Sequence, residues 1–306
     1  MRRRRKSAAS IALENQINAG NKKKEWLLPS LLVFPSVFMF VGFALYPFVR
    51  AIINAFSATT TQGEFIKWVG LANFKQIFAD SSFGLILRNT FVLAGLKLVL
   101  TFVPAMLMAM LAARKGKGER IYQTLYVLPM AIAAAPIATV WMYIFRQDSG
   151  LLNQLLGTNI AWLREEQWTL LVIAIVTSWG GIASASLYLL VGFRNVSDEV
   201  LEAADIDGAN WWTKMFRIMI PLASPQIFYV LFLQIMGSFK VFATIDLLTQ
   251  GGPANASTTL LYRIYNRVNV SGNIQMACAE ALILFVIMFV FARLEQKCEE
   301  KFVFYQ

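Results

Sequence analysis

Histidine is absent from this 306-residue chain, and cysteine occurs only twice, as Cys278 and Cys298. Without histidine there is no serine–histidine relay, no ordinary proton shuttle near neutral pH and no usual zinc or haem ligand. Two isolated cysteines give neither a disulfide framework nor metal-ligand spacing. A G-x-x-x-x-G-K-[ST] loop to cradle phosphates is missing too, so no ATPase of that type is encoded. The adjacent Glu165 and Glu166 sit in a loop, poor geometry for a catalytic carboxylate pair. Catalysis by this chain is therefore not expected, nor any cofactor of its own.

Charge is also scarce. Only 15% of residues are charged against 57% hydrophobic, and the mean hydropathy is +0.55. That balance describes an all-α polytopic membrane protein. The net charge of +10 does not imply a nucleic-acid partner, because the cations gather in tails and short loops. There they suit anionic lipid headgroups and topology control.

Apolar runs predict six spans, at 27–52, 85–113, 121–145, 170–193, 226–248 and 276–292. A basic tail (1–26) precedes this membrane domain (27–293), and a short terminus (294–306) follows it. Pro29, Pro35, Pro47, Pro104, Pro129 and Pro136 fall inside the first three runs, where they predict kinks. Arg2–Arg5, Lys6, Lys22–Lys24, Arg114, Lys115, Lys117, Arg120, Arg194, Lys214, Arg217, Arg293, Lys297 and Lys301 fall on one side of such a topology, against Arg50, Lys67, Lys75, Arg88, Arg146, Arg164, Arg263 and Arg267 on the other. By the positive-inside rule both termini are cytoplasmic. Trp162 and Trp168, in an external loop, are expected to anchor at lipid headgroups.

Between the fourth and fifth runs lies a polar stretch, 195–225, with Asp198, Glu199, Glu202, Asp205 and Asp207, then Lys214 and Arg217. Ser197 reads as a helix N-cap, with Val196 and Leu201 as its hydrophobic staple. Gly208 reads as the helix stop. Asn210 caps a second helix over 211–220, which Pro221 and Pro225 separate from the next run. The product is a helix–turn–helix elbow on the cytoplasmic side. Ala203 and Ala204 would let a partner approach closely, with Val200 and Trp212 as apolar contacts.

This elbow resembles the EAA signature of ABC-importer permeases: Glu202-Ala203-Ala204, Asp205-Ile206-Asp207, Gly208, then Ile218-Met219-Ile220-Pro221, with isoleucine where the family has leucine. Other fragments resemble the family's sugar-uptake branch: Trp68-Val69-Gly70-Leu71-Ala72-Asn73-Phe74, Arg88-Asn89-Thr90, YQTLYVLP at 122–129, FATIDLLTQGGP at 242–253 and Thr258-Thr259-Leu260. The resemblance is to the six-span permeases of maltooligosaccharide and glycerol-3-phosphate type importers. It implies the type I ABC importer fold in a bacterial plasma membrane. It also implies a second homologous permease, an extracytoplasmic solute-binding protein and an ABC ATPase dimer that binds the ATP and Mg. The cargo would be a sugar or oligosaccharide, or alternatively a polyol phosphate such as glycerol-3-phosphate. Glu202, Ala203, Ala204, Asp207, Gly208 and Pro221 then become the ATPase-coupling residues.

A sugar path needs polar groups in the membrane. The fourth run offers Thr177, Trp179, Gly181 and Ser184; the fifth offers Gln234, Gly237, Ser238 and Val241. These are the path candidates, although small residues such as Gly180 and Ser184 equally serve helix packing. Lys97, Lys240, Asp246 and Glu280 are ionisable groups within or beside spans. Snorkelling is the expectation for Asp246 and Glu280, and a structural or gating role for Lys240. Arg263 and Arg267, outside, would attract an anion or dock a binding protein. An ion-coupled transporter or channel is the rival class. It calls for mid-membrane carboxylates or an inverted repeat, and neither is evident.

Overall fold

The computed structural model describes residues 29–114, 132 and 134–303. The basic tail, the loop cations Lys115, Lys117 and Arg120, the 122–129 fragment and the first half of the third span lie outside the described residues. The chain divides after Ile53 into two compact units.

The first helix, α1 (Pro29–Ala55), is long and apolar enough to cross a membrane. It widens into a π turn at Val41–Leu45, just before Pro47. A proline has no N–H to donate and its ring crowds the carbonyl four residues back; a wider turn accommodates both. The same device recurs in the elbow, where a π turn at Met215–Met219 precedes Pro221.

In the second unit, a hairpin of β1 (Ser57–Thr59) and β2 (Phe65–Trp68) leads through α2 (Ala72–Ala79) into α3 (Phe83–Ala113). Then come α4 (Ala134–Ile144), α5 (Leu151–Leu156) and α6 (Glu166–Arg194). The elbow follows as α7 (Asp198–Ile206) and α8 (Trp211–Leu222). Helix α9 (Ser224–Ser238) leaves α8 at a 71° bend, and α10 (Ala243–Leu248), α11 (Leu260–Asn269) and α12 (Ile274–Phe302) complete the chain. Helices α1, α3, α6 and α12 are each long and apolar enough to span; α8 and α9 together make a broken fifth.

Three expectations need correction. The fifth run is not one helix over 226–248. The chain leaves helical form after Ser238 and resumes it only at Ala243. The cause is tertiary: the Gly237 carbonyl accepts from the Lys97 ammonium at 2.9 Å and from the Lys240 N–H at 3.3 Å. Phe239 and Val241, both buried, then join two different apolar clusters. Second, α12 continues to Phe302, well beyond the apolar run. Third, Trp162 is no headgroup anchor. Its ring is buried with Phe145, Val172 and Val176, and its indole N–H donates to Asn153 Oδ1 at 2.8 Å.

Helices α3 and α6 pack through a core of Ala105, Ala109, Ala185, Leu189 and Phe193. The same core continues into Met215 and Met219 of α8 and Ile227 and Val230 of α9. The root of the elbow is thus part of the core that α3, α6 and α9 share.

Candidate functional site

The elbow forms as its residues predict. Ser197 is the N-cap residue of α7, extended in backbone, although its hydroxyl makes no cap bond. Val196 is buried and Leu201 packs on the same cluster, which is the staple. At the other end Gly208 takes φ +76°, the Gly208 N–H bonds to the Asp205 carbonyl at 3.0 Å, and the Ala209 N–H to Ala204 at 2.9 Å. That pair of bonds is a Schellman motif, which needs a left-handed residue. Asn210 then caps α8, its side chain accepting from the Thr213 N–H at 2.8 Å.

The exposed face of the elbow is more apolar than the sequence reading held. Ile206 is 89% exposed, and Trp212 and Phe216, also exposed, stack with ring centroids 6.0 Å apart. Val200 and Ala203 are exposed too, and Ala204 is buried. Glu202 lines a groove of about 300 Å³ with Arg114, Asp205 and Lys214, and Lys214 bridges to Asp205 at 2.6 Å. Asp207 is exposed at the C-cap, and Pro221 is half-buried in the last turn of α8.

A second site lies at the break after α9, where a cavity of about 500 Å³ opens. It gathers five of the eight path candidates: Thr177, Gly181 and Ser184 from α6, with Gly237 and Val241 from the break. Trp179 is not among its lining; it meets Trp141 edge-on at 6.3 Å. Ser238 is buried, with its hydroxyl spent on the Ile235 carbonyl. Gln234 lies to one side, its Oε1 3.7 Å from where a Gly181 Cβ would stand. Two residues that the path reading left out, Lys97 and Lys240, line the cavity. Their signal was present in the sequence, as cations inside apolar runs.

Helix α10 separates this cavity from another. Ala243 and Thr244 line the first; Leu248 and Thr249 line a second cavity of about 700 Å³ that also holds Arg146, Asp148 and Arg164.

Arg263 and Arg267 do something other than expected. Both reach Glu280 Oε1 at 2.8 Å, and Glu280 is fully buried, so it does not snorkel. Arg263 also bridges to Asp80 at 2.6 Å. Hydrogen bonds from Ser82, and then the Arg263 guanidinium, hold the Asp80 carboxyl below its usual range. Asp246 accepts from the Tyr262 hydroxyl at 3.3 Å. Burial, and then that carboxylate, raise the Tyr262 phenol above its usual range.

Comparison with known proteins agrees with this architecture. Residues 105–300 match the family model for the inner membrane component of binding-protein-dependent transport systems. The sn-glycerol-3-phosphate transport system permease protein UgpA of Agrobacterium fabrum is 31% identical over 91% of this chain and 97% of its own length. Its counterpart in Brucella abortus is 30% identical over the same shares. Among solved structures, a bacterial ABC transporter involved in the import of the acidic polysaccharide alginate superposes with a TM-score of 0.81. That match is at 23% identity and covers 92% of this chain and 98% of the other.

Proposed function

Since the chain belongs to the family of inner membrane components of binding-protein-dependent transport systems, we propose that it forms half the path of an ATP-driven carbohydrate importer. A second, homologous permease supplies the other half, and a solute-binding protein delivers cargo from outside. Both termini and the elbow face the cytoplasm, where an ABC ATPase dimer binds ATP and Mg and docks on the elbow. The cargo is a sugar, an oligosaccharide or a polyol phosphate; the names of the relatives favour the last.

One observation carries the coupling reading: the elbow has an exposed tip and a buried root. Ile206 and Trp212 stand in the open, while Met215, with no exposed surface, sits in the core that α3, α6 and α9 share. A push on the tip therefore reaches the spans through packed side chains, as rigid-body coupling between two sites requires. The charges agree. Acids stabilise a helix in its first turn, as Asp198 and Glu199 do, but not in its last, where Asp205 and Asp207 lie. Lys214 offsets one of these acids, and a cationic socket on the ATPase offsets the rest.

The test is ATP hydrolysis by the assembled importer. Glu202→Lys and Ile206→Asp should abolish stimulation by loaded binding protein while the subunits still co-purify. Full stimulation in both variants would refute the docking assignment.

A further inference from the structure

We propose that the cavity at the break after α9 binds a hydroxyl-bearing anion, a polyol or sugar that carries a phosphate or carboxylate, with Lys97 and Lys240 as its charge contacts. The inference rests on the importer reading above and narrows its cargo.

The donor and acceptor inventory of the wall leads there. Lys97 reaches the cavity from α3, and Lys240 from the link between α9 and α10. No carboxylate lies among the described lining residues. One Lys97 proton goes to the Gly237 carbonyl, leaving two for a ligand. Lys240 is exposed, and no described acidic group pairs with it. The hydroxyls across the cavity have the opposite character. Thr177 donates to the Ile173 carbonyl at 2.7 Å and Ser184 to the Gly181 carbonyl at 3.0 Å. With their protons spent on their own helix, they face the cavity as acceptors. A ligand that fits both walls offers O–H groups to Thr177 and Ser184 and an anionic group to the lysines.

Two cations within a membrane domain, without a counter-ion, are disfavoured until an anion arrives. Position along the path adds to the argument. On the far side of α10, in the cavity that the importer reading places toward the outside, Arg146 and Arg164 outnumber Asp148, so an approaching anion meets positive potential first. Arg263 and Arg267 contribute little to that potential, because Asp80 and Glu280 already hold them.

The experiment uses the complete importer with its binding protein in proteoliposomes. The probes are glycerol-3-phosphate with glycerol, and a uronic-acid trisaccharide with its neutral counterpart. One anionic member should be taken up and its neutral partner not. Lys240→Gln and Lys97→Gln should each lower kcat/KM for it about tenfold or more, and Lys97→Arg should restore much of the loss. Should Lys97→Gln fail to assemble, the exposed Lys240 decides the matter. Wild-type uptake in Lys240→Gln, or equal uptake of a neutral probe, overturns the anion site and leaves the importer reading standing. If no carbohydrate or polyol stimulates ATP hydrolysis by the assembled complex, both fall.

Discussion

Arg263 Nε lies 2.8 Å from Oε1 of Glu280, a side chain with no exposed surface. The same oxygen takes Arg267, and Arg263 passes on to Asp80. The arrangement ties α11 to α12 and to the turn before α3. Removing Glu280 takes the fully buried partner from both arginines and leaves them only the partly exposed Asp80, a loss of up to about 3–5 kcal/mol. Glu280→Ala should therefore lower the unfolding temperature of the purified permease sharply, and Glu280→Gln less so. Asp246→Asn, which weakens a single 3.3 Å contact with Tyr262, should cost less than either. Thermal unfolding of the three variants in one detergent checks the order, and equal Tm values would dismiss the network as a stabilising element.

Asp80 gives this network an acid limit. Its folded pKa is lowered from 3.8, first by Ser82 and then by Arg263. A depressed carboxyl contributes stability that is present above its unfolded pKa and lost as pH falls through the folded value. The window thus opens below about pH 4. Because the Asp80 side chain is 35% exposed, solvent screens the effect and keeps it small. Asp80→Asn should flatten the acid limb of a stability-against-pH curve without changing the curve near neutrality. Ser82→Ala should shift the limb to higher pH. An unchanged limb in both variants would assign the acid transition to other carboxyls.

Much of the architecture was legible because local chemistry specified it. The elbow carries its own cap, staple and stop, and these formed at Asn210, at Val196 with Leu201, and at Gly208; Ser197 holds the N-cap position without a side-chain bond. The scattered fragments that resemble the permease family also acquire a physical role. Asn89 donates to the carbonyls of Asn255 and Thr258, and Thr90 accepts from the Leu260 N–H. The Arg88-Asn89-Thr90 fragment thus pins the loop that carries the Thr258-Thr259-Leu260 one. Asn73 likewise holds the carbonyls of Ala55 and Ser57. The break after α9 was not legible. Its run contains no proline after Pro225, and the group that captures Gly237 is Lys97, from another helix. Glu280 was misread for the same reason, since periodicity does not show which partners a loop will bring.

Glycine packing separates two positions twelve residues apart on α6. A Cβ on Gly192 would stand 2.6 Å from Gln226 Cβ and 2.8 Å from its Cγ, on α9. Gly180, which the sequence offers as a packing residue, has no atom of the described residues within 4 Å of such a Cβ. Replacing a helical glycine with alanine gains about 1 kcal/mol of helix propensity. At Gly192 the overlap costs about 1–3 kcal/mol, enough to cancel or exceed that gain. Gly180→Ala should thus hold or raise Tm, and Gly192→Ala should lower it. The reverse order in thermal unfolding would show that the close contact lies elsewhere on α6.

The turn at Gly208 tests whether the shape of the elbow, rather than its acidity, carries coupling. With φ +76°, alanine there costs about 1–2 kcal/mol, whereas asparagine visits this region more readily. Proline cannot adopt a positive φ and also removes the N–H that bonds to Asp205. Substrate-stimulated ATP hydrolysis should therefore fall in the order Asn, Ala, Pro, with near-complete loss in Gly208→Pro, while basal hydrolysis persists. Charge is constant across this series. A graded loss assigns coupling to the angle between α7 and α8, and equal stimulation in all three variants would return it to the carboxylates.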